Sequence, residues 1–307
     1  MRIPAVGAAT LAAVLDAGSM EAAARVLHIT PSAVSQRVRA LEEEVGRVLL
    51  VRAKPLRPTP AAHPIVRFAR QVALLEHDAA AEVGGDDDRV AIALAVNADS
   101  LATWFLPPLA RLSERHPVVF DLHRDDQDFT AGMLEDGTVT GAVTSRAEPV
   151  GGCRVQSLGV LRYEAVATPA FRDRWIDGTD RVAALAAAPV IDFDRRDDLQ
   201  SRWMLAQGAD PTAPPRHRVP ASHDFATATM LGLGWALLPL LQCAPALASG
   251  ALVQMGGPPI DVPLYWQQWN LRSALLDAAA DEIVVEGRRV LLPGQPSATR
   301  STTLPRE

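Results

Sequence analysis

Apolar and polar positions alternate with the period of an α-helix through the first 45 residues of the chain. One such segment covers residues 6–17, and a second covers 20–27 after Ser19, whose hydroxyl can cap the free amides of a first helical turn. Thr30 followed by Pro31 marks the start of a third helix, because proline loses no hydrogen bond at the first helical position. The pattern predicts three short helices with a tight turn between the second and the third.

The third helix has two distinct faces. Val34, Val38, Leu41 and Val45 recur at helical spacing and predict a buried stripe. A solvated surface explains the opposite, polar face equally well when the helix is considered alone. Its place as the second helix of a tight helix-turn-helix pair favours side chains that read base edges in a major groove. We expect DNA contacts from Ser32, Ser35, Gln36, Arg37 and Arg39.

A short apolar run after Gly46 leads into basic residues set among prolines, which is typical of a small wing. We expect Arg52, Lys54 and Arg57 to meet phosphates or to enter the minor groove. Such contacts position a protein on DNA without reading its sequence. The N-terminal DNA-binding domain is therefore predicted to span residues 1–58.

A different apolar period follows over residues 59–84. Intervals of three and four, typical of a coiled-coil seam, favour a dimerising linker helix over a core helix. The residues of this seam are Ile65, Phe68, Val72, Leu75 and Ala79. Residues 84–88, GGDDD, then predict a hinge.

From residue 85 to about 293, apolar strand-like runs alternate with amphipathic helical stretches. RVAIALAV, PVVFDLH, TGAVTS, APVIDFD and GWALLP are such runs, and this alternation predicts an α/β domain with a parallel sheet. The fold class is therefore α/β with an all-α N-terminal part. Residues 294–307 are predicted to be disordered.

The charge supports this division. Residues 1–70 carry a net charge of +5, residues 71–88 carry −6 and the remainder carries −5, although the whole chain is acidic at −6. A basic surplus confined to one end suggests a nucleic-acid-binding module joined to a different kind of domain, although ordinary fluctuation can also produce so small a surplus.

Other classes of protein receive little support from the sequence. The two cysteines indicate neither a disulfide framework nor a zinc site, so no metal and no cofactor are expected. The chain lacks the G-x-S-x-G, P-loop, H-E-x-x-H and G-x-G-x-x-G motifs, which argues against an enzyme. Without a signal peptide pattern or a run of eighteen apolar residues, we expect a cytoplasmic protein with no membrane partner.

Two passages identify a family resemblance. Residues 18–52, GSMEAAARVLHITPSAVSQRVRALEEEVGRVLLVR, and 106–123, LPPLARLSERHPVVFDLH, resemble the LysR-type transcriptional regulators. The resemblance covers essentially the full chain. It implies a winged helix-turn-helix, a linker helix and a two-lobed effector domain like a periplasmic binding protein, with the ligand between lobes of residues 89–161 plus 268–291 and 162–267.

Three further passages narrow the resemblance to the ArgP/LysG-like branch of the family. They are AVNADSLATW, GAVTSRAEPVGGCRVQSLGVLRY and VPLYWQQWN. The branch implies lysine, arginine or histidine as effector and an amino-acid exporter gene as target. It also implies double-stranded operator DNA, a homodimer or homotetramer, and RNA polymerase as partners.

A basic amino acid needs hydrogen-bond donors for its carboxylate and acids for its cations. Strand RVAIALAV ends in Asn97, Asp99 and Ser100, and free amides of Leu101 and Ala102 could hold a carboxylate at the helix start. Simple helix capping is an equally good explanation of Asp99 or Ser100. Polar residues near later strand ends and helix starts complete the expected pocket: Asp125, Asp126, Thr144, Asp192, Asp194 and Asp224. Any one of these acids is more often a solvated loop residue.

Three alternatives remain open at this point. A LysR-type regulator of another small metabolite would keep the scaffold with a different pocket. A chromosome-binding architectural protein would show weak sequence preference and little effector dependence. A solute-binding or catalytic α/β protein would leave the first 58 residues without a role.

Overall fold

The computed structural model describes residues 2–51, 53, 56–84, 89–124, 130–178 and 180–294. Its contacts divide the chain into two compact units, each with segments from distant parts of the sequence. The first unit comprises Met1–Gln156, Ala221–His223 and Tyr265–Glu286, and the second comprises Ser157–Pro220, Asp224–Leu264 and Gly287–Glu307.

Three helices open the first unit: α1 Ala5–Ala17, α2 Met20–Val26 and α3 Pro31–Val45. The Ser19 hydroxyl accepts from the amide of Ala22, and the Thr30 hydroxyl accepts from the amide of Ala33. The predicted starts of the second and third helices are therefore confirmed. His28 lies in the turn between them with a φ of 53°, a left-handed backbone conformation that residues other than glycine seldom adopt.

A short antiparallel pair follows α3, with β1 Leu50–Val51 against β2 Arg57–Pro58. The carboxylate of Glu42 on α3 accepts from the Leu49 amide at 2.7 Å and from the Leu50 amide at 3.4 Å. The predicted wing is therefore present, and Glu42 fixes it to the third helix.

The long helix α4, His63–Glu82, divides the predicted seam. Ile65 is buried and Phe68 half-buried in the core that the first three helices form. Val72 is half-buried, whereas Leu75 and Ala79 are exposed. The expectation of a linker rather than a core helix is wrong for the first turns of α4, because they complete the N-terminal core.

The remaining elements form the α/β part of the chain. The helices are α5 Ala98–Thr103, α6 Leu106–Arg115, α7 Thr130–Glu135, α8 Pro169–Trp175, α9 Arg181–Ala187, α10 Leu199–Ala206, α11 Ser222–Met230, α12 Leu240–Ser249 and α13 Ala274–Val290. The strands are β3 Val90–Val96, β4 Val118–Arg124, β5 Gly141–Thr144, β6 Cys153–Ala167, β7 Val190–Asp192, β8 Arg216–Arg218, β9 Ala236–Pro239, β10 Val253–Gln254 and β11 Ile260–Trp269.

In the first unit, β3 lies between β4 and β5 and is parallel to both, while β11 pairs antiparallel with β5. In the second unit, β6 pairs antiparallel with β9 and β10, and β7 pairs in parallel with β8. The predicted α/β class with a helical N-terminal part is confirmed, although the sheet is mixed rather than wholly parallel. No helix in the described ranges has both the length and the apolar character needed to cross a membrane.

Candidate DNA-binding and effector sites

The polar face of α3 is open to solvent. Val34, Val38 and Leu41 are buried on the opposite side and fix the rotation of the helix. The outward residues are all exposed: Ser32, Ser35, Gln36, Arg37 and Arg39. Hydroxyl, amide and guanidinium groups are the types that hydrogen-bond base edges in a major groove. This exposed face is a candidate nucleic-acid-reading surface.

One member of this face is already engaged. The hydroxyl of Ser32 lies 3.0 Å from that of Thr30, which caps the same helix. A DNA contact by Ser32 would share or replace this bond, whereas no such bond holds Ser35 or Gln36 among the described residues.

The wing places one predicted cation where phosphates can reach it. Arg57 is exposed on β2, opposite Val51 in the strand register. Arg52 and Lys54, the other two predicted contacts of the wing, lie outside the described residues.

The candidate effector site lies at one edge of the first unit. Ala95 of β3 pairs in parallel with Ala142 of β5, so Asn97 and Thr144 stand two residues beyond a matched pair, where both strands end. Parallel strands in open α/β folds bring ligand-binding groups to this edge. The register therefore brings together two polar residues that are far apart in the sequence.

Two polar atoms at this edge are buried without a partner. The Oδ1 atom of Asn97 and the Oγ atom of Ser100 make no hydrogen bond to any described residue. Asn97 is 2% exposed and Ser100 is fully buried. Leaving a buried polar group unsatisfied costs about 1–3 kcal/mol, so such groups mark places where a ligand or water belongs.

Asp99 lies between these two residues. Its carboxylate accepts a hydrogen bond of 2.6 Å from the hydroxyl of Ser222, which belongs to the same unit. Thr144 is also engaged, since its hydroxyl accepts from the Arg146 amide at 3.1 Å. Ser222 was not among the candidate site residues, because nothing in the sequence indicates that it meets Asp99 across 123 positions.

The prediction that the amides of Leu101 and Ala102 are free to hold a carboxylate is wrong. The amide of Leu101 donates to the carbonyl of Asn97 at 3.0 Å, because α5 begins at Ala98 rather than after Ser100. Ala102 is one position further into the helix, where amides are also used internally. The first-turn amides without a helical partner are therefore earlier in the chain than expected.

Two of the acids predicted to bind effector have hydrogen-bond partners within the second unit. Asp192 is buried and accepts from Arg216 Nη1 with both carboxylate oxygens, at 2.7 and 2.8 Å. Asp194 accepts from the amides of Arg196 and Asp197, so it organises its own loop. These bonds argue against the predicted effector roles of Asp192 and Asp194.

The neighbouring Asp197 has an unusual environment. Burial raises the pKa of Asp197 to about 6, and the nearby Asp192 carboxylate adds to this, while amide bonds from Phe193 and Leu199 oppose it. Asp224 is exposed in the first turn of α11, in the second unit. Asp125 and Asp126 lie outside the described residues.

The described part of the chain holds no group of three or more His, Cys, Asp or Glu side chains that could bind a metal ion. The candidate sites in this part are an exposed polar helix face beside a wing, and a buried polar edge of the α/β fold. These features define a DNA-binding protein with a separate domain for a small ligand.

Comparison with known proteins identifies the family. The family described as bacterial regulatory helix-turn-helix protein, lysR family, matches residues 8–63, and the LysR substrate binding domain matches residues 85–285. The second match alone covers more than half of the sequence. The chain belongs to the LysR family of transcriptional regulators.

Individual relatives cover almost the whole chain. The transcriptional regulator LysG of Mycobacterium bovis is 44% identical over 277 residues, 90% of either chain. The lysine export transcriptional regulatory protein LysG of Corynebacterium efficiens is 42% identical over 283 residues, which are 91% of this chain and 96% of that protein. Among solved structures, full-length LysG from Corynebacterium glutamicum with bound effector Arg is 39% identical with a TM-score of 0.76, covering 94% of this chain and all of that one.

Proposed function

We propose that this protein binds operator DNA through α3 and its wing, senses a basic amino acid and controls transcription of an amino-acid exporter gene. The proposal includes a homodimer or homotetramer that works with RNA polymerase in the cytoplasm. Family membership supports DNA binding. The similarity to a lysine export regulator and to a LysG that binds Arg supports the effector and the target.

The buried polar edge of the first unit carries the effector proposal. Asn97 Oδ1 is an unpartnered acceptor and the Asp99 carboxylate is a charged acceptor, so the two suit an ammonium group. The Ser100 hydroxyl can donate to a carboxylate. An amino acid offers both groups on one carbon atom, and its binding would satisfy the two buried atoms that the protein leaves unpartnered.

The side-chain cation of the effector needs another acid. Asp192 and Asp194 are engaged by Arg216 and by loop amides. The contacts predicted for Asp224, Asp125 and Asp126 stay predictions, since Asp224 belongs to the second unit and the other two lie outside the described residues.

Calorimetry on the full chain tests the effector. We expect binding of L-arginine, L-lysine or L-histidine. L-citrulline should bind more weakly, because it keeps the shape of arginine but has a neutral side chain in place of the guanidinium. Removing one hydrogen bond to a charged group costs about 1.5–3 kcal/mol, so Asp99→Asn and Ser100→Ala should weaken binding roughly tenfold or more.

A matched control is available on the surface. Ser249→Ala removes an exposed hydroxyl whose only partner among the described residues is the Ala246 carbonyl, and it should leave binding unchanged. If none of the three basic amino acids binds, the effector proposal is wrong, and the LysR membership stands without it.

A further inference from the structure

A polar stripe on α4 is engaged within the first unit. Arg67, Arg70 and Asp78 are separated by three and eight residues, a spacing that keeps them on one helix face. All three contact backbone groups of the α/β part of the first unit. The stripe therefore connects the helix that follows the DNA-binding core with the part of the unit that carries the candidate effector site.

Arg70 contacts both of these regions at once. Its Nη1 donates to the carbonyl of Gly137 at 2.6 Å and to the carbonyl of Thr138, while its Nη2 lies 2.5 Å from a carboxylate oxygen of Asp16 on α1. The Arg70 side chain is 18% exposed and that of Asp16 is 57% exposed. One planar guanidinium thus joins α1 of the N-terminal core to the loop before β5.

Arg67 strengthens the same attachment. It donates to the carbonyls of Gly151 and Gly152 at 3.2 and 3.3 Å, and its guanidinium lies 5.5 Å from the ring centre of buried Trp269. Gly151 and Gly152 precede β6, and Trp269 ends β11. The electron-rich face of a tryptophan ring attracts a cation, so this contact also holds Arg67 in place.

The backbone of α4 also approaches the loop closely. Gly137 has a φ of +80°, and a Cβ there would lie 2.8 Å from the Cβ of Arg67 and 3.0 Å from its amide nitrogen. Any side chain at position 137 would therefore strain the loop and displace it from the helix. At the far end of α4, Asp78 accepts from the amides of Ala274 and Leu275, at 3.0 and 3.4 Å, and so caps α13.

The loop held by Arg70 leads directly to the candidate effector site. Thr140, two residues after Thr138, bonds to the Ala93 carbonyl of β3 through its amide at 2.8 Å and its hydroxyl at 3.0 Å. Strand β3 then runs to Asn97, and β5 runs from this loop to Thr144. A series of hydrogen bonds and short backbone segments therefore connects Asp16 with both strand ends.

We infer that Arg70 is a positioning residue that couples effector binding to DNA binding through this series. The coupling rests on the proposed function, because it requires an effector at the strand ends. By thermodynamic linkage, an effector that shifts β3 and β5 changes DNA affinity, and bound DNA changes effector affinity by the same factor. Arg70 belongs neither to the polar face of α3 nor to the strand ends where the effector is proposed to bind.

The test compares two variants with a matched control. Arg70→Met removes the guanidinium and keeps the apolar stem, and Asp16→Asn changes only the exposed partner, so the fold should survive. The control, Arg202→Met, removes an exposed arginine on α10 whose acid, Asp198, is 3.8 Å away in the second unit. The ligands are L-arginine and an operator duplex selected from random-sequence DNA.

The first readout is the ratio of operator Kd with and without saturating L-arginine, measured by fluorescence anisotropy. We expect a ratio of about 5 or more, in either direction, in the wild type and the control. It should fall below about 2 in Arg70→Met and take an intermediate value in Asp16→Asn. Calorimetry should give the same arginine affinity within about twofold. An unchanged ratio in Arg70→Met, or a wild-type ratio of one despite arginine binding, overturns the inference.

The second readout needs no effector. Hydrogen exchange should show that operator binding changes the protection of amides 138–142 in the wild type and not in Arg70→Met. If no basic amino acid binds but this difference appears, the proposed effector is wrong, and the link that Arg70 makes between DNA binding and the loop before β5 stands. Equal operator-induced changes in both proteins overturn the role of Arg70.

Discussion

The ion pair between Asp192 and Arg216 should stabilise the second unit rather than bind effector. The Asp192 side chain is 4% exposed and that of Arg216 is 16% exposed. Arg216 also bonds to the Ser201 hydroxyl on α10 and to the Pro211 carbonyl, so the pair joins β7, β8, α10 and the segment between α10 and β8. Its loss should therefore loosen several elements at once.

The size of the effect follows from burial. Arg216→Met leaves the Asp192 carboxylate buried without its cation, and breaking a buried pair from one side costs about 3–5 kcal/mol. Asp192→Asn keeps an acceptor and leaves Arg216 with its other bonds, so we expect a smaller loss of about 1–3 kcal/mol. The double variant Asp192→Leu/Arg216→Met removes both charges and should be less destabilised than Arg216→Met alone.

Urea unfolding followed by tryptophan fluorescence measures these losses. Trp203 and Trp235, with ring centres 5.0 Å apart, are buried in the same unit and report on its packing. Calorimetry on folded Asp192→Asn should give an arginine affinity within about twofold of the wild type, because Asp192 is expected to bind Arg216 and not effector. Loss of a charged hydrogen bond to the effector would instead lower the affinity roughly tenfold or more. Unchanged unfolding together with tenfold weaker arginine binding would refute the structural role and restore the effector role.

Four further outcomes are expected. Gln36→Ala should lower discrimination between operator and random DNA by about 1–3 kcal/mol, and equal discrimination in competition binding would remove Gln36 from the reading face. Arg57→Ala should weaken all DNA alike and reduce the salt slope by roughly one unit, whereas a sequence-dependent loss would contradict a phosphate contact. His28→Val should lose about 1 kcal/mol or more in thermal unfolding while His28→Gly should not, because the φ of 53° suits glycine. Hydrogen bonding from Arg111 lowers the pKa of Glu282 below its usual 4.5, so the ionised carboxylate stabilises the fold fully above pH 4.5 and loses this effect as the pH falls through the lower folded value. Arg111→Met should therefore make the free energy of unfolding depend less on pH in this acidic range, and an unchanged pH dependence would contradict this.

The DNA-binding part was predictable because its signals are local. The hydroxyls of Ser19 and Thr30 accept from amides three residues further along the chain. The burial of Val34 and Val38 follows from the helical period alone. Strand positions were predictable for the same reason, since runs such as RVAIALAV contain their own period. The bonds from Glu42 to the wing are less local, because they join residues seven and eight positions apart.

The effector residues were less predictable because their partners are distant. A buried aspartate that binds a ligand and one that binds Arg216 have the same sequence signature, an acid at a strand end. The partner of Asp192 is 24 residues away and that of Asp99 is 123 residues away. The predicted role of the Leu101 and Ala102 amides was wrong for a local reason, since moving a helix start by three residues changes which amides are free.

Helix α4 shows why a period alone cannot assign a role to a helix. Its apolar spacing indicated a seam for a partner, and the prediction assigned no role to its arginines. The partners of Arg67 and Arg70 are mostly backbone carbonyls, which carry no side-chain signature in a sequence. The local sign of the attachment is the glycine at position 137, where the positive φ and the close approach of the Arg67 backbone both disfavour a Cβ. A helix can therefore pack through its apolar stripe and transmit a signal through its polar one, and replacing Arg70 separates these two roles because it leaves the apolar stripe intact.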